Sequence, residues 1–185
     1  AYENYVTPEM CVPEKPLRVP WESCLTLGAD FNYAYGDHYK SQRELVNLLV
    51  NIVAKGGNMA LNVSPQPDGR ISVEAWESLR GLGAWMQTYG EAIYGRRICA
   101  PYQSGNLAFT QKGDTVYAIR LYPEEGEAVE EELLIPYQGK IRGISMVDTK
   151  KAVEWQITEE GIRVVIPKEY REGDTPIAIV WKIER

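Results

Sequence analysis

The first half of the chain alternates a helical pattern of apolar residues with short apolar runs. Residues 41–55 carry apolar side chains at the i, i+3, i+4, i+7 and i+8 spacing of an amphipathic helix. Ser41 and Glu44 form a capping box at its start, and Gly56 follows its end. Residues 58–63 are then apolar and bounded by glycine and proline, which predicts a strand buried on both faces.

A second helix is predicted over residues 72–90, with Ser72 as its N-cap. Its predicted apolar face consists of Trp76, Leu79, Leu82, Gly83 and Met86. Residues 21–28 are rich in strand formers and predict another strand. Helix, buried strand, loop and helix are the repeating unit of an α/β fold with a parallel sheet. Loops at the carboxyl ends of such strands carry the chemistry, so residues 64–69 border a candidate site. The alternative is a turn selected only for its shape.

After Gly95 the pattern changes to short β runs separated by glycine-containing turns. These runs are residues 107–111, 115–121, 131–135, 141–146, 152–157, 162–166 and 177–183. Their number and spacing predict an antiparallel β-sandwich at residues 96–185. Residues 1–95 hold too few strands for a closed parallel barrel, which needs eight. We therefore expect the missing N-terminal barrel polypeptide to lie outside these 185 residues.

Composition narrows the range of partners. The net charge of −6 and the lack of a basic stripe argue against nucleic acid. No apolar run has the length of a membrane span. The three cysteines lack the spacing of metal ligands, and His38 is the only histidine. The sequence therefore predicts no metal site and no cofactor.

One loop has the residue types of a sugar site. Residues 29–40 contain Phe31 and three tyrosines, interleaved with aspartate, asparagine and the histidine. Flat rings stack on the apolar face of a pyranose while amides and carboxylates bond its hydroxyls. The alternative is a loop that packs its aromatic rings onto its own protein. Glu9 follows Pro8 directly and is a second candidate, either as a functional carboxylate at a strand end or as a solvated surface residue.

Several segments of residues 1–95 resemble the α-L-fucosidases of glycoside hydrolase family 29. Residues 21–26 (WESCLT) resemble the family segment W-E-[ST]-C-x-T, and residues 55–69 (KGGNMALNVSPQPDG) resemble K-G-G-N-x-L-L-N-V-G-P-x-x-D-G. Residues 83–95 resemble G-x-W-[LM] followed by N-G-E-A-I-Y-G. Ser64 stands where glycine is common, and Tyr89 where asparagine is common. Residues 2–9 resemble the branch that prefers α1,3- and α1,4-linked fucose.

The resemblance implies a TIM (β/α)8 barrel, of which residues 1–95 are the C-terminal portion, followed by the sandwich. It implies a retaining enzyme that hydrolyses terminal α-linked L-fucose from a fucosylated glycan. Glu9 matches the general acid/base, with Glu3 as the fallback, and the nucleophilic aspartate lies outside this chain. The 185-residue chain alone is therefore expected to be inactive.

The same resemblance places Phe31 against the C6 methyl group of fucose. Trp21 is assigned to the substrate pocket, where it either lines the sugar or supports the strand beneath.

A non-catalytic function is the alternative interpretation of the sequence. The chain is then a carbohydrate-binding or structural β-sandwich module with a residual barrel fragment. That reading requires an exposed aromatic platform on the second half, where the candidates are Tyr102, Tyr117, Tyr122, Tyr137, Trp155 and Trp181. Alternation within the β runs predicts that most of these side chains lie in the core instead.

Overall fold

The structure of the protein is a computed structural model that describes residues 4–185. The chain divides into two compact units, the first ending at Gln87 and the second beginning at Thr88. This division falls within the helix α2 (Val73–Tyr89). Among residues 4–185, no helix combines the length and the apolarity that crossing a membrane requires.

A parallel sheet organises the first unit. Strand β1 (Glu22–Thr26) pairs in parallel with β2 (Asn58–Asn62), in a register that places Cys24 opposite Ala60. Residues 6–10 run along the other side of β1 through the parallel bridges Val6–Trp21 and Glu9–Cys24. The predicted parallel pairing is confirmed, and the sheet has three adjacent segments that run in the same direction.

Helix α1 (Gln42–Ala54) begins with the predicted capping box. The Ser41 hydroxyl accepts a hydrogen bond from the Glu44 backbone N–H at 3.2 Å, and the Glu44 carboxylate accepts one from the Ser41 N–H at 2.7 Å. The helix buries more than one side, through Leu45, Val46, Leu49, Val50, Ile52 and Ala54. Gly56 follows the helix with a φ of 81°, which glycine adopts without strain.

Helix α2 (Val73–Tyr89) follows Ser72, whose hydroxyl accepts a hydrogen bond from the Ala75 N–H at the start of the helix. The predicted apolar face of this helix is wrong in part. Trp76 is 47% exposed, whereas Ala75 and Trp85 are buried. The guanidinium of Arg80, one turn further on, lies 5.6 Å from the centre of the Trp76 ring, so a cation–π contact stabilises the indole on the outer face.

The second unit consists of antiparallel sheets. The strands are β3 (Arg97–Ser104), β4 (Leu107–Lys112), β5 (Thr115–Leu121), β6 (Glu132–Ile135), β7 (Gly143–Met146), β8 (Trp155–Thr158), β9 (Gly161–Val165) and β10 (Ala178–Glu184). They form a five-stranded sheet of order β3-β4-β5-β10-β7 and a three-stranded sheet of order β6-β9-β8. A short 3-10 helix (Gly90–Ala92) and helix α3 (Lys168–Arg171) complete the unit.

One hydrophobic core contains side chains from both sheets of the second unit. Phe109 and Trp181 of the larger sheet share this core with Ile135 and Ile162 of the smaller one. The seven predicted β runs are confirmed as strands, although β8 begins three residues later than the run at 152–157. Strand β3 was not predicted.

Candidate active site

Glu9 lies at the carboxyl end of the segment that borders β1. The backbone there is held like a strand, because the Cys24 N–H donates to the Pro8 carbonyl and the Met10 N–H donates to the Cys24 carbonyl, each at 2.9 Å. The side chain of Glu9 is exposed in this chain. Met10 then adopts a φ of 54°, so the regular strand conformation ends directly after Glu9. The carboxylate is therefore presented at the edge where the segment stops.

The strand register places Glu9 on a defined face of the sheet. Residues paired across parallel strands point to the same side, so Glu9, Cys24 and Ala60 form one row across three segments. Thr26 and Asn62 form the next row toward the carboxyl ends. The face that carries these five side chains is therefore the one on which a ligand can meet Glu9.

The opposite face of the sheet packs against the helices. Trp21 and Leu25 share a core with Ile52 of α1, while Leu27 packs with Leu45 and is likewise fully buried. Because side chains alternate along a strand, burial of this set leaves the Glu9 face to the other side.

Phe31 belongs to the loop that follows β1, at the same edge as Glu9. The Ser64 hydroxyl, in the loop that follows β2, donates a hydrogen bond of 2.7 Å to the Phe31 carbonyl oxygen. Both loops begin at carboxyl ends of adjacent parallel strands, so this bond fixes the Phe31 backbone at that edge. The Phe31 side chain is half-buried. The structure thus brings Glu9, Phe31 and residues 64–69 to one end of the sheet.

Polar side chains of the Phe31 loop form hydrogen bonds with the backbone of the same loop and of the end of β1. The Asp37 carboxylate accepts from the backbone N–H groups of Ala29 at 3.1 Å and His38 at 2.8 Å. The Lys40 ammonium donates to the carbonyl oxygens of Thr26 at 2.7 Å and Gly28 at 3.3 Å. Asp37, which the sequence offered for sugar hydroxyls, is therefore used in part to close the loop.

The aromatic side chains of this loop do not all have the same environment: one packs onto the protein itself, and another stays open to a ligand. Tyr39 packs against the core formed by Leu27, Leu45 and Ala75, as a structural residue does. Tyr35 is 89% exposed at the loop tip. The loop therefore uses one ring for its own packing and leaves another available.

Backbone hydrogen bonds close the turn at residues 64–69. The Gly69 N–H donates to the Gln66 carbonyl at 2.8 Å, and Gly69 has a positive φ of 82°, which glycine tolerates in a turn. Hydrogen bonds from Arg70 lower the pKa of the Asp68 carboxyl, so Asp68 is ionised and tied to the turn.

Trp21 lies at the amino end of β1, on the face that meets α1. The ring is 1% exposed and packs directly over Gly57, where a Cβ atom would fall inside van der Waals contact of the indole. The ring therefore has no face open to solvent in this chain. This burial favours the supporting alternative over contact with a sugar.

The fallback acid, Glu3, lies outside the described residues. Among residues 4–185, no group of three histidine, cysteine, aspartate or glutamate side chains is placed to hold a metal ion.

The aromatic platform required by the non-catalytic reading is not exposed. Of the six candidates, four are buried and two are half-buried: Tyr117, Tyr122, Tyr137 and Trp181, and then Tyr102 and Trp155. Burial raises the pKa of Tyr117 to about 12, and its hydroxyl donates to the Glu91 carboxylate at 3.1 Å. The hydroxyl of Tyr122 donates to Glu130 at 2.8 Å. Both hydroxyl groups therefore bond carboxylates within the second unit.

Glu9 and Phe31 are candidates from the sequence, whereas Ser64 and Lys40, which hold the Phe31 loop, were not predicted in that role. Ser64 had one available signal, since it departs from the glycine that is common at this position. The contact itself joins residues 33 positions apart, which no local pattern reports.

Comparison with known proteins gives a consistent set of relatives. Residues 1–91 match the family model for α-L-fucosidase. The chain is 31% identical over 160 residues to an α-L-fucosidase of Branchiostoma floridae, a match that covers 80% of this chain and 34% of the relative. It is 28% identical over 183 residues to the human tissue α-L-fucosidase, covering 92% of this chain and 38% of that protein. The chain thus spans less than half the length of these curated relatives.

Solved structures agree with the sequence relatives. α-L-Fucosidase isoenzyme 1 from Paenibacillus thiaminolyticus superposes with a TM-score of 0.86 at 26% identity, covering 98% of this chain and 45% of that one. The Thermotoga maritima α-fucosidase in complex with a mechanism-based inhibitor superposes with a TM-score of 0.83 at 27% identity. That match covers 100% of this chain and 43% of the other.

Proposed function

Since the chain belongs to the α-L-fucosidase family, we propose that it is the C-terminal segment of a retaining exo-α-L-fucosidase. The substrate class is glycans that carry terminal α-linked L-fucose. Residues 1–95 form the C-terminal part of a (β/α)8 barrel in this proposal, and residues 96–185 form a β-sandwich domain. Three parallel segments with helices packed on one face support the first assignment. Two antiparallel sheets that share a core support the second.

One observation carries the proposal. Glu9 stands at the carboxyl end of a parallel segment, on the face away from the helices, at the edge where Ser64 holds Phe31. An enzyme that cleaves a deoxysugar needs a proton donor beside an apolar wall, and these two side chains supply that pair. Active sites of (β/α)8 barrels are built at this end of the strands.

Glu9 is the general acid/base in this mechanism, with Glu3 as the fallback. In the first step an aspartate attacks the anomeric carbon, the glycosidic C–O bond breaks, and Glu9 gives its proton to the departing oxygen. In the second step Glu9 takes a proton from water as that water attacks the same carbon and displaces the aspartate. The two carboxyl groups must lie about 5–5.5 Å apart. The aspartate comes from the remaining barrel polypeptide, outside these 185 residues.

Phe31 provides the wall for the C6 methyl group. A sugar with a hydroxyl at C6 leaves that group unpaired against the ring, which favours fucose. Trp21 supports β1 from the helix side of the sheet. The opening residues 2–9 favour α1,3- and α1,4-linked fucose.

The test uses the complete enzyme with Glu9→Gln. Hydrolysis of a fucoside with a sugar leaving group should slow by about 10²–10⁴-fold, because that oxygen needs protonation. Hydrolysis of dinitrophenyl fucoside should accumulate the fucosyl intermediate, and azide should restore its turnover. Glu14→Gln, at another exposed carboxylate, serves as the control. Equal rates for mutant and parent on natural glycans remove Glu9 from the mechanism.

The isolated 185-residue chain provides a second arm of the same test. It should release no nitrophenol from nitrophenyl fucoside, because one carboxyl group cannot perform the retaining reaction. Release of nitrophenol by the pure chain overturns the division of the catalytic pair between two segments.

A further inference from the structure

A cleft of about 240 Å³ opens in the first unit beside the turn at residues 64–69. Its walls come from the loop after β1, from the turn and from the first residues of α2. Its lining includes Tyr33, Tyr35, Asp37, Tyr39, Gln66 and Glu74, of which Tyr39 also packs on the core and Asp37 also closes its loop. Three aromatic rings with two carboxylates and an amide are the composition of a small polar-ligand site.

The aromatic wall of this cleft is arranged before any ligand arrives. The rings of Tyr33 and Tyr35 meet edge to face, with centroids 5.5 Å apart and planes at 71°. This arrangement is a favoured one for aromatic pairs. Tyr35 is nonetheless 89% exposed, next to Gly36 with its φ of 68° at the loop tip. One broad aromatic surface is thus oriented by its neighbour while remaining open to solvent.

The charged side chains that line the cleft disfavour anionic ligands. Among the described residues that line it, none is a lysine or an arginine, whereas Asp37 and Glu74 are carboxylates. An anionic ligand would meet like charge, so phosphorylated, sulfated and acidic sugars are disfavoured. A neutral ligand rich in hydroxyl donors fits, because carboxylate oxygens accept hydrogen bonds and the ring surface accepts C–H groups.

The size of the cleft limits what it can hold. Pockets for drug-sized ligands begin at about 300 Å³, so a space somewhat below that accommodates a single sugar ring rather than a chain. A sugar ring has an apolar face of C–H groups and a belt of hydroxyls, which matches an open tyrosine face beside carboxylates.

The cleft adjoins the position of Phe31. The Ser64 hydroxyl bonds the Phe31 carbonyl, and two residues further along both loops the Gln66 amide donates to the Tyr33 hydroxyl at 3.5 Å. The same two loops therefore hold Phe31 and then the first wall of the cleft. The backbone of Phe31 therefore lies two residues before Tyr33, the first residue that lines the cleft.

We propose that the cleft binds the neutral pyranose from which fucose is released, with Tyr35 stacked on the apolar face of that ring. Glu74 accepts from its hydroxyls. This inference rests on the proposed fucosidase function and names the leaving-group side of the same substrate. It assigns Tyr35 to recognition of the oligosaccharide and not to cleavage of the bond.

The kinetic test compares two substrates in the complete enzyme. Fucosyllactose carries a sugar on the leaving-group side, whereas α-L-fucosyl fluoride carries none. Tyr35→Ala should lower kcat/KM for fucosyllactose by about three- to tenfold, mainly through KM, and leave fucosyl fluoride unchanged. Tyr35→Phe keeps the ring and should stay near the parent. Tyr94→Ala, at a 68% exposed tyrosine outside the cleft, is the matched control. An equal loss on both substrates, or no loss on either, overturns the proposal.

A binding measurement separates this inference from the fucosidase proposal. Lactose titrated into the complete enzyme should bind saturably, and Tyr35→Ala should raise its dissociation constant by about three- to tenfold. Lactose that binds parent and Tyr35→Ala alike, or neither, overturns the cleft assignment even if fucosyl fluoride is hydrolysed. An enzyme that leaves fucosyl fluoride intact but binds lactose through Tyr35 refutes the fucosidase proposal and the leaving-group role, and retains only a sugar-binding cleft.

Discussion

The Ser64 hydroxyl donates a 2.7 Å hydrogen bond to the carbonyl oxygen of Phe31. Ser64 is only 6% exposed, so the bond is largely shielded from water. It joins the loop after β2 to the loop after β1 and fixes the backbone of the residue that we propose faces the fucose methyl group. Glycine, which is common at this position in the family, has no side chain to make this contact. In this chain the placement of Phe31 therefore depends on a hydroxyl group.

Ser64→Ala should raise KM for fucosides in the complete enzyme while changing kcat less. The carbonyl of Phe31 loses its partner, and a lost hydrogen bond of this kind costs about 1 kcal/mol. We expect a KM increase of about three- to tenfold in steady-state kinetics with nitrophenyl fucoside. Ser64→Thr retains the hydroxyl and is the control. A KM for Ser64→Ala equal to that of the parent contradicts the positioning role.

Phe31→Ser should weaken the preference for a 6-deoxy sugar. The ratio of kcat/KM for a fucoside over the matching L-galactoside, which has a hydroxyl at C6, should fall by about tenfold or more. Phe31→Leu keeps an apolar wall and should keep most of the ratio. If Phe31→Ser leaves both KM and the ratio unchanged, the methyl-wall role is wrong.

Local sequence predicted the helices well because their signals are local. The capping box of Ser41 and Glu44 lies within one turn, and the apolar stripe of α1 follows directly. The outer position of Trp76 was not predicted, because hydrophobicity alone assigns an indole to the core, whereas Arg80 stabilises it in solvent. Propensity is a weak guide where a neighbouring side chain decides the outcome.

Contacts between distant residues were the least predictable. Residues 6–10 behave as a sheet segment only because β1 supplies their hydrogen-bond partners, and Pro8 conceals any strand signal. Strand β3 contains Pro101 and half-buried polar residues. It therefore lacks the alternation of apolar and polar residues that predicts a strand. For the site, Glu9 and Phe31 came from the family resemblance, while the bond that holds Phe31 came only from the structure.

Gly57→Ala should destabilise the protein by about 1–3 kcal/mol, because the new methyl group would overlap the Trp21 ring. The ring is 1% exposed and enclosed by Ile52 and Leu25, so it has little room to move. Chemical denaturation followed by circular dichroism measures the change.

Gly83→Ala is the matched control for that substitution. Gly83 lies in α2 with no atom near the position of an added Cβ among the described residues. Alanine there should stabilise the protein by about 0.4–1 kcal/mol by restricting the unfolded chain. If Gly57→Ala and Gly83→Ala change the free energy of unfolding in the same direction, the packing argument for Gly57 is wrong.

Glu44→Gln should destabilise the protein near neutral pH but not in acid. The hydrogen bond from the Ser41 backbone N–H lowers the pKa of Glu44, with burial as a smaller opposing effect. The pKa of Glu44 in the folded state lies below its unfolded value of about 4.3. The carboxylate of Glu44 therefore contributes its full share of the free energy of unfolding above about pH 4.3, and this share is lost as the pH falls through the folded-state pKa. Glu44 is exposed and screened, so we expect less than about 1 kcal/mol.

The measurement for Glu44 is the difference in thermal midpoint between mutant and parent as a function of pH. The difference should shrink on acidification from pH 7 to about pH 3. Glu77→Gln, at an exposed position of α2, is the control and should change the thermal midpoint at pH 7 less than Glu44→Gln does. A Glu44→Gln difference that is constant with pH would contradict the capping contribution.

The two most deeply buried of the five tryptophans lie in different units. Trp21 is 1% exposed beside α1, and Trp181 is fully buried between the two antiparallel sheets. An indole shielded from water emits at shorter wavelength than one in solvent. Variants that keep a single one of these two rings therefore turn each half of the molecule into its own optical probe, through which loss of order in that half is seen without any label.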